Sequence, residues 1–143
     1  MDYRGEAILC AVRHHGENGA IVRLLTAERG LLAGYVHGAR GRELRPVLIP
    51  GNRLLAELRA RHPGQLPTAR AELLRSVGPW LGEPLASAAL GWVTVLAASV
   101  LPEGQPYPRI ATALGALTDA ICLSDRARDW MASLLSFERL LLR

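Results

Sequence analysis

The sequence predicts an α+β fold with its two kinds of structure segregated: a small antiparallel β-barrel of five strands, then a helical domain. Three observations carry this. Residues 1–77 fall into five short segments that are rich in branched residues or alternate in polarity, joined by turn residues, with no room for a crossover helix. From residue 84 the apolar spacing changes to three-and-four. Charge divides at the same place, with 12 arginines against 7 acids in residues 1–77 and 5 against 6 in residues 78–143. The domains are accordingly 1–77 and 78–143. The joining segment Ser76–Pro84 is too short and apolar for a free linker, so the halves are expected to pack together.

The first strand is read from Arg4 to Val12 and is followed by a turn at His14–Gly19. Ala20–Thr26 is the second, and a tight turn at Ala27–Gly30 leads to the third, Leu31–Ala39. After the arginine loop Gly38–Pro46, the segment Asn52–Arg61 alternates most clearly. Leu54, Ala56, Leu58 and Ala60 face one side; Arg53, Glu57, Arg59 and Arg61 face the other. Thr68–Val77 fits helix or strand, and its short length between turns makes it the fifth strand. Such a barrel could also be SH3-like.

The first helix starts at Pro84, with Leu85, Ala88, Ala89, Trp92, Val93, Leu96 and Val100 on its apolar face, and Pro102 closes it. The second runs from Pro108 to Ile121. The third starts behind Ser124 as N-cap and places Ala127, Trp130, Met131, Leu134, Leu135, Leu141 and Leu142 on its apolar side. Its pattern is still running at Arg143, with no terminating glycine or proline, and reads as a helical domain cut short.

With 143 residues and half of them apolar, the chain can bury a real core. Its longest nearly unbroken apolar run, Leu90–Leu101, falls short of the roughly 20 residues that span a bilayer. The N-terminus has no secretory pattern, so a cytoplasmic, nucleoid-associated location without a membrane partner is expected. Cys10 and Cys122 read as reduced, buried thiols. Adjacent His14 and His15 point to opposite faces of a strand and cannot easily share a metal, so neither metal nor cofactor is expected.

No nucleophile–base pair, paired carboxylates or phosphate-binding glycine motif is present, and no catalytic residue is assigned. The basic pattern is more informative. Arg40, Arg42 and Arg45 in the loop, Arg53, Arg59 and Arg61 on one strand face, and Arg70 and Arg75 nearby match the electrostatic footprint of a nucleic-acid surface. Every basic residue is arginine, whose planar guanidinium meets phosphate with two parallel hydrogen bonds. Solubility alone would also account for such a face. Tyr35 and His37 share one face of the third strand and offer one stacking contact. Tyr3 is the barrel's only other large aromatic, so binding should rest on the phosphate backbone. Trp80, Trp92, Trp130 and Phe137 read as core residues of the helical half, where a peptide groove would use the same types.

The order of Thr26, Glu28 and Gly30 as T-x-E-x-G, Gly38–Arg40 as GAR, a basic loop, Leu48–Pro50 as L-x-P, and the late Phe137–Leu142 resembles the bacterial recombination mediator family RecO. The resemblance implies a five-stranded oligonucleotide-binding (OB)-like barrel and a helical domain. It also implies binding of single- and double-stranded DNA, strand annealing, the partners RecR and the C-terminal tail of the single-stranded DNA-binding protein SSB, and help in loading RecA during gap repair. Arg40, Arg42 and Arg45 match the family's basic loop. The family continues with further helices, in some members with a cysteine zinc site, so the SSB-tail pocket is not placed here. Between Gly41 and Gly51, Pro46 and Pro50 leave room for a turn where the barrel usually has a helix. Two other readings remain: a peptide-binding module using the helical half, and an RNA-binding barrel.

Overall fold

The computed structural model describes residues 2–124 and 126–142. Five strands, β1 (Asp2–His15), β2 (Gly19–Thr26), β3 (Gly30–His37), β4 (Arg53–Arg59) and β5 (Thr68–Arg75), close into a barrel in the order β1-β2-β3-β5-β4. One turn of 3-10 helix, Gly78–Trp80, leads to α1 (Pro84–Val100), α2 (Pro108–Leu123) and α3 (Arg128–Leu141). This is an OB-like barrel followed by helices.

β1 is longer than its apolar pattern because it serves two neighbours. Asp2–Ile8 pairs with β4 and Ile8–His15 with β2, with a register shift between Leu9 and Ala11 that lets the strand bend around the barrel. Closure comes from one parallel contact, Tyr35 opposite Thr68, where the Tyr35 N–H donates to the Pro67 carbonyl at 2.8 Å. The alternation read for β4 holds: Leu54, Ala56 and Leu58 are fully buried inside.

The T-x-E-x-G segment is the β2–β3 turn. Buried Thr26 donates its hydroxyl to the Gly30 carbonyl and accepts the Arg29 N–H. Gly30 is left-handed (φ 72°), and the Gln105 backbone lies where a side chain would stand. The neighbouring Leu31 carbonyl accepts the Gly104 N–H at 2.9 Å, which fastens the barrel to the segment entering α2. The two halves share a core in which Ile8, Cys10, Leu25 and Leu31 meet Leu90, Val93, Leu114, Leu117 and Phe137. Both cysteines are free and buried, and burial pushes the Cys10 thiol up to about 12.

The helices depart from the sequence reading in three places. Ser124 does not cap α3: its backbone is extended, it ends α2 with its N–H on the Ala120 carbonyl, and α3 starts only at Arg128. α1 is rotated by about one residue. Ala86, Ala89, Leu90, Val93, Thr94, Ala97 and Ala98 are buried, while Leu85, Trp92 and Val100 are exposed. Its small residues lie inward, and a helix that is apolar all round does not reveal its inner face by spacing. α3 buries only Trp130, Phe137 and Leu141, and leaves Met131, Leu135 and Leu142 exposed. Among the described residues no helix is long and apolar enough to cross a membrane.

Candidate nucleic-acid interface

The arginine loop between β3 and β4 closes one end of the barrel. Ala39 and Val47 are buried in the barrel core, with Leu44 and Leu48 packed against it. Backbone bonds Arg45 N–H to Gly41 O (3.1 Å) and Leu48 N–H to Leu44 O (2.9 Å) make a compact turn, as the spacing of the prolines allowed. Two asparagines hold it in place. The Asn18 carbonyl accepts the Ala39 N–H at 2.8 Å. Fully buried Asn52 donates from Nδ2 to the Pro46 and Val47 carbonyls and accepts the Val77 N–H on Oδ1 at 2.7 Å. The loop is thus fastened on both flanks. Its apolar residues point in, and Arg40, Arg42 and Arg45 are exposed. None of the three has a carboxylate within ion-pair distance among the described residues. The Arg45 Nε donates to the Arg40 backbone carbonyl at 2.9 Å, which holds the Arg45 side chain against the loop.

Tyr35 and His37 lie on the same outer face of β3, ring centroids 4.7 Å apart and edge to face. His15 joins them at 6.4 Å from Tyr35. Sequence reasoning missed this residue, because only the register shows that His15 lies opposite Gly19 and Gly19 opposite His37. A side chain at Gly19 would collide with the Tyr35 phenol, so the glycine lets the ring lie across β2.

The strand arginines divide. Arg59 is 75% exposed and paired through Nε with Glu57 at 2.9 Å. Arg61, read on the strand, lies beyond its end at Arg59; it and Arg70 of β5 are exposed, and all three line an open cleft of about 440 Å³. Arg53, read as part of the DNA-binding strip, is instead bound to α2. Its Nη2 donates to the Gly115 carbonyl at 2.7 Å and to Asp119 Oδ2 at 3.1 Å, and Arg75 takes the other carboxylate oxygen at 2.9 Å. Alternation placed Arg53 and Arg59 correctly on the outer face, but α2 covers only the Arg53 end. Asp119 was detectable as the sole charge between Arg109 and Asp125.

Trp92, expected in the core, is 49% exposed and donates Nε1–H to Glu138 at 3.3 Å. Leu85 and Val95 of α1 and Met131 and Leu135 of α3 are exposed as well.

The family described as "Recombination protein O N terminal" matches residues 1–77. "DNA repair protein RecO" of Phenylobacterium zucineum is 40% identical over 145 residues, covering 100% of this chain and 58% of that protein. The protein of the same name from Rhodospirillum centenum is 43% identical over 122 residues, 85% of this chain and 49% of the relative. That of Paracoccus denitrificans is 38% identical over 142 residues, 99% and 57%. The chain thus spans about half the length of these relatives.

Proposed function

The chain belongs to the RecO family, and from that premise we propose that it acts in DNA repair by recombination as a DNA-binding protein without catalytic chemistry of its own. It binds single- and double-stranded DNA through guanidinium–phosphate contacts on the barrel and brings complementary strands together. Annealing needs neighbouring phosphates neutralised and no bond broken, so arginines suffice for it. The observation that carries this reading is the loop: three exposed guanidiniums on a turn fastened to the barrel end by Asn18 and Asn52. In the cell it works in the cytoplasm on nucleoid DNA, with RecR and the SSB tail, to help load RecA. The exposed apolar residues of α1 and α3, Trp92 among them, support a partner-binding role for the helical half.

The test is annealing of two complementary, fluorescently labelled oligonucleotides. The chain is expected to accelerate duplex formation severalfold at low salt and to lose the effect as salt rises. A rate unchanged by the chain contradicts the reading.

A further inference from the structure

The aromatic cluster and the arginine cleft belong to one row of the barrel. Arg59 of β4 is opposite Thr68 of β5, and Thr68 is opposite Tyr35 of β3. All three lie on the outer face, with Thr68 exposed between the other two. Two steps between neighbouring strands put the Arg59 and Tyr35 backbones about 10 Å apart. Stacked strand advances about 3.4 Å per nucleotide and unstacked strand roughly twice that, so the row matches one to two nucleotides of opened strand.

The two ends of the row differ in chemistry. At one end, Tyr35 meets His15 and His37 edge to face, at interplanar angles of 86° and 77°. No ring pair here is stacked face to face, and His15 and His37 are exposed beside a half-buried Tyr35, so the cluster fixes ring orientation and presents aromatic surface to solvent. At the other end, Arg59, Arg61 and Arg70 outnumber Asp2 and Glu57 around the cleft. Glu57 lies 2.9 Å from the Nε of Arg59, and the two terminal nitrogens of that 75% exposed side chain carry four further N–H donors suited to an anion.

We propose that this row is a nucleotide subsite for single-stranded DNA: one base stacks on the Tyr35 cluster while the two adjoining phosphates sit in the Arg59–Arg61–Arg70 cleft. The proposal rests on the DNA-binding reading and narrows it, because a base paired in duplex has its faces covered and cannot reach the ring. The arginine loop, which begins at Gly38 directly after His37, then receives further phosphates.

The test is fluorescence anisotropy with a labelled thymidine 15-mer and with the same phosphodiester backbone made abasic. The wild-type chain is expected to bind the abasic strand about tenfold more weakly. Tyr35→Ala should weaken the thymidine strand by the same factor and leave the abasic strand unmoved, while Tyr35→Phe keeps wild-type discrimination. Arg59→Ala with Arg61→Ala should weaken both strands. Equal binding of the two strands by the wild-type chain overturns the subsite and leaves DNA binding standing. Failure to bind either strand removes the DNA-binding reading as well.

Discussion

With Arg40, Arg42 and Arg45 all replaced by alanine, the chain is expected to bind a single-stranded oligonucleotide about a hundredfold more weakly at 0.1 M salt, while its melting temperature stays at the wild-type value. The size follows from counterion release. Each phosphate neutralised on a single strand contributes about 0.7 to the slope of log K against log salt, so three lost contacts remove about two decades at that concentration. Stability should survive because the loop is not held by its arginines. Backbone bonds to Gly41 and Asn18, the Asn52 amide, and buried Ala39 and Val47 hold it. The one bond lost with the side chains, Arg45 Nε to the Arg40 carbonyl, is exposed and contributes little. Equilibrium titration paired with thermal melting checks both halves; unchanged affinity would move DNA binding off this loop.

Asn52→Ala should have the opposite profile, a loss of about 3–5 kcal/mol of folding stability read from urea denaturation. The side chain is fully buried, and its amide meets three backbone groups from two other segments: the Pro46 and Val47 carbonyls and the Val77 N–H. Removing it leaves those groups without partners where water reaches them poorly, at about 1–3 kcal/mol each. Asn52→Asp should rescue little. It keeps an acceptor for Val77 but turns a carboxylate oxygen toward the two carbonyls that Nδ2 had satisfied. A loss below about 1 kcal/mol would mean that the loop and the barrel–helix junction are held by other contacts.

Asn52 also marks where sequence reading ends. A single asparagine between Gly51 and Arg53 carries no periodicity, and its role depends on three chain segments converging. Strand orientation was legible wherever alternation was strong. Leu54, Ala56 and Leu58 turned inward as read, and Tyr35 and His37 shared the outer face. Alternation gives a residue's side of the sheet but not what lies over that side. Arg53 and Arg59 share a face, yet α2 brings Asp119 to the first and nothing to the second. For α1, leucines, valines and alanines all round the helix left its inner face open, and the structure turned Trp92 outward. His15 was invisible for a different reason, since its place beside Tyr35 follows from hairpin register alone.

On the proposed reading, the barrel binds DNA by arginine–phosphate contacts divided between the loop and the Arg59–Arg61–Arg70 cleft. The salt dependence of single-strand affinity, measured for the wild-type chain and for the triple loop variant, tests it most directly. With about five phosphates neutralised, log K should fall with log salt at a slope near −3.5, and the loop variant should reduce that to about −1.4. A wild-type slope near zero, or the same slope in both proteins, would contradict it.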